Sequence, residues 1–117
     1  MKLNIVFLGR TDYKEALDIQ EKLFNLRQRD KVRNTFLLLE HPPVITLGRS
    51  GACSNILIPK EELDAKKVNI YEVSRGGDVT YHGPGQIVGY PIIDLKDFDK
   101  DIKEFVCKTE EVFIRLL

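Results

Sequence analysis

The chain has 117 residues, of which 43% are hydrophobic and 31% are charged, a composition typical of one globular domain. Its eighteen basic residues balance eighteen acidic ones, so no overall charge favours binding to nucleic acid or to an anionic membrane. The apolar run near the N-terminus is too short for a signal peptide or a membrane span, which predicts a cytoplasmic protein. Cys53 and Cys107 lack the spacing of a zinc site or a disulfide framework.

The first third of the sequence predicts a strand, a helix and a second strand. Residues 3–8 are apolar and rich in β-branched side chains, as in a buried strand. Thr11 or Asp12 can cap a helix that ends near Arg29. The apolar face of this helix comprises Tyr13, Ala16, Leu17, Ile19, Leu23, Phe24 and Leu26. Residues 35–40 predict a strand buried on both faces, which ends before the two prolines that follow His41.

Extended structure resumes at residues 44–47 and leads into a loop of small residues around one cation, Arg49. Arg49 can meet an anionic group, and a solvated surface turn is the alternative interpretation. His41 on its own has the features of a loop histidine.

The remaining elements are two strands and two helices. In chain order we predict a short helix from Pro59 to about Lys66, a strand at residues 69–73, a strand at residues 86–95 and a helix at residues 98–117. Pro91 suggests a bulge or an edge position in the second of these strands. Asp99 or Asp101 is the candidate cap of the last helix, which ends on the apolar pair Leu116 and Leu117 without a capping residue. We therefore expect a partial chain.

The least core-like stretch of the sequence is residues 75–86, which read R-G-G-D-V-T-Y-H-G-P-G-Q between two predicted strands. Gly76 and Gly77 remove two successive side chains, so a ligand or another backbone can approach the main chain closely. Gly83, Pro84 and Gly85 then predict a turn. A glycine-rich turn that binds nothing is the structural alternative to a functional site.

These twelve residues closely resemble the signature of octanoyltransferases, the lipoyl(octanoyl) transferases of lipoate biosynthesis. Residues 40–51, E-H-P-P-V-I-T-L-G-R-S-G, are similar to the upstream motif of that family. The resemblance reaches the last residue of the chain but covers about the N-terminal half of a typical member. It implies an α/β fold with a mixed, largely antiparallel sheet and packed helices, as in the catalytic domain of biotin and lipoate ligases. Residues 1–117 would form part of one such domain.

The resemblance also implies a chemistry and its partners. Members of the family take an octanoyl group from acyl carrier protein onto a cysteine. They then pass it to a lysine on the lipoyl domains of 2-oxoacid dehydrogenase complexes or on the glycine cleavage H protein. No ATP is needed, because the thioester is already activated, and no cofactor or metal is expected. Neither nucleic acid nor membrane is an expected partner.

The family's first substrate-binding segment matches eight residues of this chain. They are Arg75, Gly76, Gly77, Asp78, Val79, Thr80, Tyr81 and His82. We expect the acyl chain to lie against the bare backbone of the two glycines, Tyr81 to wall an apolar pocket, and His82 to orient the thioester or a water.

The family's catalytic cysteine and its lysine partner belong to segments that would follow Leu117, so we assign no catalytic residue to this chain. Cys53 and Cys107 lie in no matching motif. We therefore expect the chain to be inactive alone. An uncovered sheet edge and an apolar helix face would also favour aggregation, self-association or a partner.

Two other interpretations remain open. Lipoate ligases share the fold but activate a free acid with ATP, and they typically carry three glycines before the Tyr-His pair, where this chain has Arg-Gly-Gly-Asp. The alternative from a different class is a non-catalytic module that holds acyl carrier protein or a lipoyl domain.

Overall fold

The computed structural model of the chain describes residues 2–117, so that Met1 lies outside the described residues. Its strands are β1 (Leu3–Arg10), β2 (Asn34–Glu40), β3 (Val44–Leu47), β4 (Asn69–Glu72), β5 (Val79–His82) and β6 (Val88–Ile92). Its α-helices are α1 (Tyr13–Gln28), α2 (Lys60–Ala65) and α3 (Ile102–Leu116). Two single turns of 3-10 helix, Cys53–Asn55 and Leu95–Phe98, lie in the connections.

The strands form two three-stranded sheets, with strand orders β1-β2-β6 and β4-β3-β5. In each sheet the central strand has one parallel and one antiparallel neighbour. The sheets are therefore mixed, as predicted, but antiparallel pairing does not predominate. The predicted bounds of β3 are confirmed to the residue, and β6 is shorter than predicted. Pro91 lies in β6, an edge strand whose only partner among the described strands is β2, which confirms the predicted edge position.

The helix caps follow the predicted side chains. Asp12 caps α1 by accepting a hydrogen bond from the backbone N–H of Lys14 at 3.0 Å. Asp101 caps α3 in the same way, accepting from the N–H of Glu104 at 3.0 Å. Because these aspartates satisfy backbone donors that the helix leaves free, they determine where α1 and α3 begin. The last helix therefore starts at Ile102 and not at Phe98 as predicted.

The core lies between α1 and one face of the first sheet. It contains Ala16, Leu37, Leu39 and Ile92, with Leu8, Ile19, Leu23, Val88 and Tyr90 packed around them. The prediction that β1 is a buried strand is wrong, because seven of its eight residues are exposed and only Leu8 is half-buried. β1 is exposed because it lies at the edge of the sheet and because α1 covers only one of the two sheet faces.

The opposite face of the first sheet is uncovered and apolar. Phe7 is 77% exposed and Ile87 is 75% exposed, and together with Leu38 they line an open groove of about 540 Å³. The apolar side chains of α3 are also exposed, including Phe113 at 56%. The amphipathic pattern of α3 is thus confirmed, and most of its apolar stripe is exposed, although Phe105 packs against Phe98.

We expect the purified chain to self-associate through this sheet face, since large exposed apolar surfaces drive association. Phe7→Lys should shift the sedimentation profile toward monomer, because a lysine there would have to be desolvated on association. Asn25→Lys, which adds the same charge at an exposed polar position of α1, is the matched control. Equal loss of association in both variants would show that net charge, and not the apolar face, is responsible.

Candidate functional site

The two motifs come together in the fold as a pair of hydrogen-bonded loops, which we call the clasp: residues 48–55 and residues 74–78. The backbone N–H groups of Gly48, Arg49 and Ser50 donate to the carbonyl oxygens of Asp78, Arg75 and Gly77 at 2.7, 3.0 and 3.1 Å, respectively. Three main-chain bonds thus join two loops that are far apart in the sequence. The clasp extends the antiparallel pairing of β3 with β5.

Arg75 braces the glycine loop from within. Its Nη2 donates to the carbonyl oxygen and the hydroxyl of Thr46 on β3, at 3.0 and 2.9 Å. Nη2 also donates to the carbonyl oxygen of Asp78 at 3.2 Å, and Nη1 donates to the carbonyl oxygen of Gly76 at 2.8 Å. The guanidinium is thus engaged with the protein's own backbone, and Thr46 is fully buried beneath it. These hydrogen bonds indicate that Arg75 shapes the loop.

Asp78 fastens the other end of the clasp. One carboxylate oxygen accepts the backbone N–H of Ala52 at 3.2 Å, and the other accepts the side-chain amide of Asn55 at 2.5 Å. Arg49 adds a bond from its Nε to the carbonyl oxygen of Ser74 at 2.6 Å. This bond favours the interpretation of Arg49 as part of a surface turn over a role in binding an anionic group. The side chain is exposed.

The two adjacent glycines differ in what surrounds them. A Cβ atom placed on Gly76 would meet no atom within 4 Å, so the backbone there faces open space. Gly77 has φ +91°, in the left-handed region that favours glycine, and a Cβ there would lie 3.1 Å from the Arg75 guanidinium. Gly76 is therefore the position at which a ligand can reach bare main chain, and Gly77 provides the bend.

The second half of the motif is a strand, whereas the sequence suggested a loop between strands. Val79–His82 is β5, and its residues alternate between the two faces of the second sheet. Tyr81 pairs with Ile45 and is 55% exposed, with its ring over Gly83. His82 pairs with Val44 and faces the other way. Tyr81 and His82 thus belong to opposite sides of the sheet. Val79 and Thr80 pair with Leu47 and Thr46.

His82 belongs to an aromatic cluster that joins the two sheets. The cluster comprises Tyr13, His41, Tyr71, His82 and Tyr90. The ring of His41 is the centre of this cluster, with centroids 5.2 Å from Tyr13, 5.6 Å from His82 and 5.9 Å from Tyr90. The residues come from α1, β4, β5 and β6 and from the end of β2, so the cluster holds the motif against the core.

His41 lies in the connection between β2 and β3, as predicted, but it is fully buried. Its Nδ1 lies 2.8 Å from the carbonyl oxygen of Thr11 and its Nε2 lies 2.7 Å from the hydroxyl of Tyr90. A carbonyl oxygen only accepts, so Nδ1 carries the proton and Nε2 accepts from Tyr90. Burial lowers the pKa of His41, and burial also raises the pKa of Tyr90 to about 12. Both groups are therefore neutral at pH 7.

Sequence reasoning missed His41 and the clasp roles of Gly48 and Asp78. A signal for His41 was available, since it lies inside the upstream motif and directly before a pair of prolines that fixes the chain. No local pattern reveals Tyr90, which is 49 residues away in sequence.

The cysteines are exposed, Cys53 in a 3-10 turn and Cys107 on α3. Within residues 2–117 no three of the His, Cys, Asp and Glu side chains are grouped closely enough to hold a metal ion. None of the described helices combines the length and the apolar character needed to cross a membrane.

The chain thus combines two mixed sheets with a clasped glycine loop at the end of the second sheet. Residues 12–117 match the family model of the lipoyl protein ligase A/B catalytic domain, and the chain is a member of that family. A crystal structure of LipL1 from P. falciparum in complex with lipoate has a similar fold, with a TM-score of 0.56 over 75% of this chain and 29% of that one. At 14% identity this likeness concerns the fold alone.

Closer in sequence are proteins named octanoyltransferase. One from Caldicellulosiruptor bescii is 60% identical over all 117 residues, which correspond to 51% of its own length. Another, from Desulforamulus reducens, is 57% identical over the same residues, which again correspond to 51% of its own length. The resemblance to octanoyltransferases is thus confirmed and the ligase interpretation is the less supported one. The chain spans about half the length of these curated relatives.

Proposed function

We propose that residues 75–82 and the clasped loop at residues 48–55 form the acyl-binding wall of an octanoyltransferase. The observation that carries this proposal is the 60% identity to a protein of that name over the whole chain. The geometry supports it, because the two matching motifs meet in one place and Gly76 leaves backbone open beside them. We further propose that the chain is part of a biotin/lipoate-ligase-like catalytic domain.

The proposed reaction has two acyl transfers. A cysteine thiolate attacks the thioester carbonyl of octanoyl-acyl carrier protein, forms a new thioester and releases the carrier thiol. The amine of a lysine on a lipoyl domain then attacks that thioester, an amide forms, and the cysteine thiol is regenerated. The expected acceptors are the lipoyl domains of 2-oxoacid dehydrogenase complexes and the glycine cleavage H protein, in the cytoplasm. Residues 75–82 form the binding segment in this scheme: Gly76 exposes backbone to the acyl group, while Arg75 and Asp78 hold the loops in shape. Neither Cys53 nor Cys107 is assigned as the nucleophile.

The acyl-binding role predicts a specific effect of a side chain at Gly76. Gly76→Val should weaken binding of an octanoyl-pantetheine thioester analogue by about tenfold, equivalent to about 1.4 kcal/mol, because the side chain would fill the open space beside the backbone. The backbone there is free of the left-handed conformation that would strain a valine. Binding is measured by titration of the amide signals of residues 75–82. Glu61→Gln, at an exposed site on α2, is the control.

Equal affinity of Gly76→Val and the wild-type chain would contradict an acyl site at this loop. A second measurement addresses turnover: intact mass after incubation with octanoyl-acyl carrier protein. We expect no acyl adduct on the 117-residue chain. An adduct mapped to Cys53 or Cys107 would overturn the assignment of the nucleophile, and binding without turnover would agree with a part that binds the acyl group only.

A further inference from the structure

His82 ends β5 at the end away from the clasp, where it pairs with Val44 of the upstream motif, and one of its ring nitrogens is already engaged. Nδ1 lies 2.7 Å from the side-chain carbonyl oxygen Oε1 of Gln86, in the turn after the strand. Because an amide oxygen only accepts hydrogen bonds, Nδ1 must carry the proton. A neutral imidazole then has its lone pair on Nε2. The hydrogen bonds of residues 2–117 leave Nε2 of His82 without a partner.

The ring of His82 is also held from its inner side. His41 lies against it with centroids 5.6 Å apart and an interplanar angle of 55°. His41 cannot turn freely, because both its ring nitrogens are hydrogen-bonded, one to Thr11 and the other to Tyr90, in a site with no exposed surface. His82 is thus fixed by a rigid wall on one side and by Gln86 at one nitrogen. An orientation fixed in this way is what a binding group needs.

We propose that Gln86 is a positioning residue that holds His82 as the Nδ1–H tautomer and thereby presents Nε2 as a hydrogen-bond acceptor for an N–H group of the bound substrate. This inference rests on the proposed function, since it takes the glycine loop, which precedes the other end of β5, as part of the acyl-binding wall. An acyl thioester carried on an amide-containing arm supplies such N–H donors, as does the amine that accepts the acyl group. The role of Gln86 is to choose which nitrogen faces the substrate.

The tautomer can be read directly from the ¹⁵N chemical shifts of the imidazole rings, which differ for protonated and unprotonated nitrogens. We would record them at about pH 8, well above the ordinary pKa of histidine. The chain has two histidines, so the signals of His41 are an internal reference and His82→Gln assigns the other set. We expect the Nδ1–H form for both rings in the wild-type chain.

Two variants of Gln86 separate positioning from a structural role. Gln86→Glu keeps an acceptor for Nδ1–H and should retain the tautomer. Gln86→Met has a similar length without an acceptor and should shift His82 toward the Nε2–H form while His41 is unchanged. An Nε2–H form of His82 in the wild-type chain, or an unchanged tautomer in Gln86→Met, would overturn the inference.

No acyl compound is present in this measurement, so its result does not depend on acyl binding. Loss of the proposed function would instead appear as equal thioester affinity of Gly76→Val and the wild-type chain. If both proposals hold, Gln86→Met should weaken binding of the pantetheine thioester, and Gln86→Glu should restore most of it.

Discussion

Replacing His41 with alanine is expected to lower the free energy of unfolding by about 3 kcal/mol, the largest effect of any single substitution near the site. The side chain has no exposed surface. Its removal leaves a cavity and deprives the carbonyl oxygen of Thr11 and the hydroxyl of Tyr90 of their partner. Urea denaturation at constant pH measures the loss.

His82→Ala is the matched control, because His82 is only half-buried and makes a single side-chain hydrogen bond. It should cost about 1 kcal/mol or less. Equal losses in the two variants would contradict the view that the buried histidine holds the sheets together.

The same burial predicts how stability depends on pH. The pKa of His41 in the folded chain lies below its ordinary value of 6.5, chiefly because burial disfavours the charged ring. The unfolded chain therefore binds more protons than the folded chain as the pH falls below 6.5, and stability must fall with it. The urea midpoint should drop between about pH 7.5 and pH 5, a range above the titration of ordinary carboxylates. In His41→Gln most of that drop should be absent, and a drop of the same size in this variant would assign it to other groups.

Replacing Gly48 with alanine is expected to cost about 2 kcal/mol and to open the clasp. A Cβ there would overlap the carbonyl oxygen of Gly77 and lie 2.9 Å from that of Gly76. These neighbours are backbone atoms, which cannot move aside as a flexible side chain can, so the two loops must separate. The N–H groups of Gly48 and Ser50, which donate across the clasp, should then exchange faster with solvent.

Gly76→Ala is the control for this substitution, because a Cβ on Gly76 meets nothing within 4 Å. Its stability should stay within about 0.5 kcal/mol of the wild type. Unfolding measurements together with amide exchange distinguish the two variants. Unchanged exchange at residues 48 and 50 in Gly48→Ala would show that the clasp tolerates a side chain at this position.

Local features of the sequence predicted the elements well where the signal is short-range. Asp12 and Asp101 are caps because their carboxylates reach backbone donors two or three residues ahead. The period of α3 is correct, and so is the edge position of Pro91. The β-branched and aromatic residues of Val79–His82 also favour a strand, and the alternation of a strand puts Tyr81 and His82 on opposite faces.

The sequence by itself determined the family, the capping aspartates of α1 and α3 and the two motifs, because these depend on residue types and spacing along the chain. Only the tertiary structure decided the roles within the motifs. Arg75 and Asp78 are engaged by the protein's own loops, and His41 is a buried neutral centre bonded to Thr11 and Tyr90. The partners of these side chains lie some 25 to 50 positions away along the chain, and only the packing of two sheets brings them within hydrogen-bond distance.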